Sequence, residues 1–271
     1  MEDAPVVASL ARQIAELAQE GHELLVIHGG GRLFTATLKR MGVESRFVSG
    51  LRVTDRETRD AAVMVFAGLL NKRLAAAISS AGQPAVGISA ADSHCFLAEP
   101  LVHDEIPAGL GFVGYLTGAN TAFLESLWRE NLVPVAPCLG IAPDGELYNI
   151  NADHMAAASA EYVGAGALIY LTDVAGVLRG EDLIPKVTCE EIGSLVLERV
   201  VSGGMLLKLE AAKRALGGGV GSVRIAGGSI PGVLLSAARA AANGNPAAES
   251  QALGTVVLGE HHAARTALTA A

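Results

Sequence analysis

Aromatic side chains make up only 4% of this 271-residue chain, and there is a single tryptophan. Ala, Val, Leu and Gly dominate instead, with 32 glycines and a 51% hydrophobic content. That composition suits helices packed on both faces of a parallel sheet. Cysteine is scarce too. Cys95, Cys138 and Cys189 are far apart and no CxxC pair occurs, which excludes a disulfide framework and points to a reducing compartment. His94-Cys95 has no second pair of ligands and reads as packing rather than a metal site. Positive charge is in deficit, with 20 Lys and Arg against 28 Asp and Glu, a formal net charge of −8. Nucleic acid and anionic membranes are thereby disfavoured as partners. Any anionic ligand must be held by backbone N–H groups and individual Lys or Arg residues. No signal peptide is visible, and no uninterrupted apolar run approaches a membrane span. There is no internal repeat and no low-complexity linker. The expectation is a soluble, cytoplasmic protein, long enough for one large α/β domain or two lobes sharing a sheet.

What is present alternates between helix and strand. "APVVASLARQIAELAQEG" has helical spacing of Val6, Val7, Leu10, Ile14 and Leu17 and ends at Gly21. "ELLVIH" is a buried strand that runs into Gly29-Gly30-Gly31, and "RLFTATLKRMG" is the next helix. A strand and turn, "SRFVSGLRVTD", precede a long helix from about Glu57 to Ala81. Residues 91–117 read as irregular. Strands then follow at "VPVAPCLG", "ALIYLTDVAGV", "VGSVRIAG" and "GTVVLG", separated by helices. Thr188 and Glu191 have capping-box spacing. The predicted fold is α/β, an open and mainly parallel sheet sandwiched by helices in two lobes.

In such sheets ligands sit beyond the carboxyl ends of strands, and HGGG, GLRVTD, NINAD and LTDVAG all follow strands. Three glycines between a strand and a helix allow an anion to approach backbone N–H groups at a helix N-terminus. No GxxxxGK[ST] loop occurs. Gly109-Leu110-Gly111-Phe112-Val113-Gly114 fits GxGxxG, but lacks the preceding strand and following helix that a dinucleotide fingerprint needs, so hairpin glycines are the better reading. Arg52 is either a carboxylate clamp or a surface arginine. Lys208, read as lying in the first turn of the helix after Gly203-Gly204, opposes that helix's dipole unless an anion is held there. "ELYNINADH" places Asn149, Asn151 and Asp153 at alternate positions. It is either an extended segment with one polar face or a polar turn before a helix. Asp153 is open to three roles: metal ligand, base, or organiser of lysines. Asp173 fits a nucleotide contact or a turn cap.

The set "VIHGGG", "GLRVTD", "YNINAD", "LTDVAGV" and "SGGMLLKLEAA" resembles, in order and spacing, the acetylglutamate kinase branch of the amino acid kinase family. The resemblance implies an acylamino-acid-binding and dimerisation lobe at 1–155 and a nucleotide-binding lobe at 156–271. It implies transfer of a phosphoryl group from ATP, with Mg2+ carried by the nucleotide and no tightly bound cofactor, to the side-chain carboxylate of N-acetyl-L-glutamate, a step of arginine synthesis. Position by position, Gly30 and Gly31 would meet the phosphoryl group and the attacking carboxylate. Arg52, Asn149 and Asn151 would hold the substrate, Lys208 would neutralise the transferring charge, and Asp153 would position the catalytic lysines. Asp173, Val174, Gly176, Val177 and Leu178, with Ser202, Gly203, Gly204 and Met205, would line the nucleotide. A homodimer or higher homo-oligomer is implied. The alternatives are a sister kinase for another carboxylate or carbamate, and a non-catalytic ligand-binding relative.

The family also begins with a strand ending in Lys-x-Gly-Gly. Here Met1-Glu2-Asp3 leads almost directly into the first helix, and no lysine precedes Lys39. The expectation is that the natural start lies upstream, by about thirty residues or fewer. Near the other end, "ANGNPAAESQALGTVV" is longer than the family's usual approach to its glycine-threonine turn.

Overall fold

A computed structural model describes residues 3–102, 109–244 and 254–259. The chain divides into two compact units, Met1–Tyr162 and Val163–Ala271. The helix Ala152–Tyr162 belongs whole to the first unit.

The first unit opens with the helix Ala4–Gln19. Asp3 caps it by accepting from the Val6 N–H at 3.2 Å, and Pro5 sits where no N–H is needed. Its apolar face, with Ile14 and Leu17, packs on the helix Asn71–Ser80. The parallel sheet beneath has the strand Val133–Pro137 between Val26–His28 and Ala85–Gly87. All five residues of Val133–Pro137 are buried, as a central parallel strand requires. After Cys138 the chain enters a second sheet, ordered Gly114–Ala119, Phe96–Pro100, Leu139–Ile141, Leu147–Asn149.

One expectation is corrected here. The stretch 91–117 contains two strands, Phe96–Pro100 and Gly114–Ala119, paired antiparallel. Their alternation is short: Phe96 and Ala98 point inward, Leu97 and Glu99 outward, before Pro100. The glycines and prolines around it masked the period-two signal. The long helix expected from about Glu57 to Ala81 is present as Arg56–Ser80, and an 18-residue window of it has a mean hydropathy of 1.5, long and apolar enough to cross a membrane by length and composition. Lys72-Arg73 interrupts its apolar run. Its inward face, with Val65, Phe66, Leu74 and Ile78, is core of the unit. Its middle, Val63–Leu70, is π-helical.

The second unit is built on a sheet ordered Ala167–Thr172, Ser222–Gly227, Thr255–Leu258, Lys186–Thr188. Ser222–Gly227 is buried throughout, and the helices Gly203–Gly217 and Val233–Ala242 pack on it. Thr188 and Glu191 exchange capping bonds as their spacing predicts, the Thr188 N–H donating to Glu191 at 2.7 Å and the Glu191 N–H to Thr188 at 3.4 Å. Residues 245–253 of the long approach to the glycine-threonine turn lie outside the described residues. At the turn itself Gly254 has φ +98, and a Cβ there would lie 2.1 Å from the Ile225 carbonyl oxygen.

The glycine-rich segment at 109–114 is a backbone tie, followed by a strand rather than a helix. Gly111, at φ +70, bridges Thr54, and a Cβ would lie 2.2 Å from the Thr54 carbonyl oxygen. Gly111→Ala combines a left-handed backbone with that clash. It is expected to lower unfolding free energy by about 2 kcal/mol or more, measured by urea denaturation.

Candidate functional site

The strand Val26–His28 delivers the chain into Gly29-Gly30-Gly31, and the helix Gly31–Met41 begins there without a side-chain cap. Each glycine faces a different constraint. A Cβ on Gly29 would lie 3.1 Å from the Ala152 side chain, and one on Gly30 would lie 2.1 Å from Leu70 Cδ1. Gly31 faces open space. An uncapped helix start carrying exposed N–H groups favours an anion.

Three segments distant in sequence are laced together beside this turn. The Thr54 N–H donates to Leu110 O at 2.9 Å, the Phe112 N–H to Thr54 O at 2.6 Å, and the Asn149 N–H to Phe112 O at 2.8 Å. Asn149 Nδ2 donates to the buried Thr54 hydroxyl at 3.2 Å, and that hydroxyl donates to Arg52 O at 2.8 Å. LRVTD and NINAD are therefore joined through the 109–114 loop, which periodicity did not reveal.

NINAD itself differs from the extended face considered above. Asn149 ends a strand, but Asn151 caps the helix Ala152–Tyr162: its Oδ1 accepts from the N–H groups of Asp153 at 3.0 Å and His154 at 3.1 Å. Asp153 lies in the first helical turn. The alternation breaks because the chain turns helical after Asn151, and a short Asx side chain there satisfies orphaned N–H groups.

Arg52 is the electrostatic centre of the first unit. It is 9% exposed. Its guanidinium lies 4.8 Å from the Phe34 ring centre and 4.4 Å from that of Phe47. It donates to the hydroxyls of Ser45 and Thr35, the latter at 2.7 Å. Burial pulls its pKa below the ordinary guanidinium value, though a guanidinium stays charged. Among the described residues no carboxylate lies within ion-pair distance of it. Arg59 shows the contrast: equally buried, it pairs with Asp60 and Glu146. Cation–π contacts contribute about 0.5–2 kcal/mol each, less than desolvating a cation costs. A carboxylate ligand would complete the balance, bidentately. The sequence offered Arg52, but no motif marked Phe34 and Thr35, which come from the helix Gly31–Met41, or Ser45 and Phe47, the latter paired with Arg52 across its own hairpin.

In the second unit the helix Gly203–Gly217 follows Ser202, again without a side-chain cap, and Gly203 has φ +53. Ser202, Gly203 and Gly204 are exposed. Lys208 is in the second turn, not the first, because the helix starts only at Gly203. Its Nζ lies 4.6 Å from the Tyr170 ring centre, on the strand that leads to Asp173. Asp173 accepts from the Thr172 hydroxyl at 3.2 Å, and Asp173, Val174 and Ala175 are exposed. Gly176 and Val177 turn inward. The buried Thr255 hydroxyl accepts from the Val177 N–H at 2.8 Å and donates to Ile184 O at 2.6 Å. A Cβ on Gly176 would lie 2.7 Å from that hydroxyl. Val177 therefore supports this loop rather than presenting its side chain. Among the described residues, no group of three or more His, Cys, Asp or Glu could hold a metal ion.

A strand–GGG–helix turn, a buried arginine held by hydroxyls and rings, and a second glycine turn with a lysine all occur in one chain. The profile of the amino acid kinase family matches residues 1–227. The chain belongs to the amino acid kinase family. A relative from Koribacter versatilis (strain Ellin345), named acetylglutamate kinase, is 49% identical over 228 residues, covering 83% of this chain and 85% of its own. Two solved structures share the fold at 26% identity. One is smu.665 from Streptococcus mutans UA159, with a TM-score of 0.76, covering 93% of this chain and 94% of that one. The other is N-acetylglutamate synthase from Neisseria gonorrhoeae complexed with coenzyme A and N-acetyl-glutamate. Its TM-score is 0.80, and the match covers 94% of this chain and 56% of that one.

All three cysteines are free and buried. Cys138 connects the turn and the NINAD segment: its N–H donates to His28 O and its carbonyl accepts from the Ile150 N–H, both at 3.0 Å. Burial pushes the thiols of Cys95 and Cys138 up to about 12, so neither forms thiolate near neutrality. Iodoacetamide at mildly alkaline pH is expected to leave both unmodified in the folded chain and to alkylate them in urea, as read by peptide mass mapping.

Proposed function

We propose that this chain is an ATP-dependent kinase that phosphorylates the side-chain carboxylate of N-acetyl-L-glutamate, in arginine biosynthesis. The observation that carries the reading is Arg52, a buried cation whose partners among the described residues are neutral, in a relative of proteins named for this reaction. In the proposal Arg52 and Asn149 hold the α-carboxylate and the acetamido end. Asn151 acts by fixing the start of the helix that carries Asp153.

The chemistry needs no general base, because a carboxylate oxygen is already a nucleophile. That oxygen forms a bond to the γ-phosphorus of MgATP while the bond to the β-phosphate oxygen breaks, giving an acyl phosphate and MgADP. Catalysis is alignment and charge neutralisation. Backbone N–H groups of Gly30 and Gly31 receive oxygens of the transferring group. Lys208 offsets the charge that accumulates on it, and Asp153 organises the cations of the reaction. Asp173, Val174, Leu178 and Ser202 to Met205 form the nucleotide edge, with Gly176 and Val177 supporting its loop, and Mg2+ arrives with ATP. The first unit takes the acylamino acid and forms a homodimer or higher oligomer, the second takes the nucleotide, and the protein works in the cytoplasm.

ADP release with MgATP should require N-acetyl-L-glutamate and be at least about tenfold slower with glutamate, N-acetylaspartate or carbamate, which lack one of its contacts. Turnover with one of these and none with N-acetyl-L-glutamate points to a sister kinase, and no turnover with any overturns the reading. Arg52→Lys should raise KM for N-acetyl-L-glutamate about tenfold or more by losing the bidentate fork. Lys208→Gln should instead lower kcat by roughly a hundredfold.

A further inference from the structure

His28 and Asn71 have no part in the reaction as described above, yet both are buried and hydrogen-bonded against the glycine turn. His28 Nδ1 lies 3.1 Å from the Gly29 carbonyl oxygen, and its Nε2 lies 3.2 Å from Asn71 Nδ2. A carbonyl only accepts, so Nδ1 carries the proton. In a neutral ring Nε2 then bears the lone pair and accepts from Asn71. Burial pushes the His28 pKa below its ordinary value, which keeps the ring neutral.

The orientation of the Asn71 amide is fixed just as firmly. Its Nδ2 also faces the carbonyl oxygens of Val135 at 2.8 Å and Ile88 at 3.3 Å. Reversing the amide would set oxygen against oxygen at both. Asn71 Oδ1, buried, accepts no hydrogen bond among the described residues and occupies space that a Cβ on Gly87 would enter at 2.0 Å. The residue before it, Leu70, closes the π-helical stretch and presses on Gly30. π-turns concentrate at functional sites.

One covalent fact links this network to the reaction. The Gly29 carbonyl and the Gly30 N–H belong to the same planar trans peptide, so they point in opposite directions. Pinning the carbonyl inward on His28 aims the N–H away from the ring. We propose that His28, held by Asn71, is a positioning residue that sets the plane of the Gly29–Gly30 peptide and so aims the Gly30 N–H at the transferring phosphoryl group. The inference rests on the kinase reading. Neither side chain touches substrate, so the effect is on kcat.

Two variants separate the two ring nitrogens. Asparagine places an amide donor near the position of Nδ1, whereas glutamine places its amide near Nε2. His28→Gln is expected to lower kcat about tenfold or more with KM for both substrates within about threefold, and His28→Asn to recover most of that loss. Equal losses in both variants, or a loss confined to KM, overturn the proposal. A second readout does not depend on turnover. In the 15N spectrum of the wild-type chain, His28 should show a protonated Nδ1 and an unprotonated Nε2. The Gly30 amide resonance should shift in His28→Gln and stay near its wild-type position in His28→Asn. A ring protonated on Nε2, or an unmoved Gly30 resonance in His28→Gln, overturns the proposal even where kinase activity is intact. Absent turnover in the wild-type chain with both spectral signatures present would sink the kinase reading and leave the peptide-plane geometry standing.

Discussion

Burying Arg52 with no carboxylate within ion-pair distance among the described residues is the constraint around which the first unit is arranged. A cation in that state is tolerable only if its remaining contacts are fixed, because loose partners would let water return. The hairpin Phe47–Arg52 brings one ring to the guanidinium, and the helix after the glycine turn brings the other together with Thr35. Thr54 and Gly111 then hold the hairpin's exit, and Asn149 is hung from the same threonine. In a chain of net charge −8 no diffuse positive field draws in an anion. Buried Arg52 and the backbone N–H groups of the glycine turns act over short range only.

In the second unit Ser202–Gly204 and Asp173–Ala175 are exposed, and Lys208 lies over the Tyr170 ring of the strand that leads to Asp173. Arg52 and Arg59, both buried in the first unit, show how local context decides a role. Arg59 is as buried as Arg52 but is neutralised by Asp60 and Glu146 and has a ring, Phe112, against it. It belongs to the scaffold. Arg52 has no carboxylate within ion-pair distance among the described residues, and that difference is invisible in composition.

Strand ends, glycine turns and helix starts were legible in the sequence because each has a local chemical signature. HGGG and SGGM announced uncapped helix N-termini, and the Thr188–Glu191 spacing announced a capping box that the structure contains. What was not legible depends on contacts between distant segments. The strands Phe96–Pro100 and Gly114–Ala119 have too few residues each for their period to stand out, and only pairing makes them strands. Asn149, Asn151 and Asp153 carry the alternation of a strand, yet capping by Asn151 ends it. Phe34, Phe47, Ser45 and Thr35 are ordinary residues until Arg52 arrives among them. His28 looked like the end of a strand, and nothing short of the Asn71 contact, 43 positions away, gives it a task.

The Thr255 hydroxyl has a consequence in time as well as in space. It joins the Val177 N–H to a strand 78 positions later in the chain. During synthesis the loop at 174–178 is made long before the residue that fastens it. At about 5–20 residues per second the gap is roughly 4–16 s. Through that interval the nascent second unit has its loop without its clasp. The strand Thr255–Leu258 thus completes the loop, and a chain still being translated carries that loop unfastened.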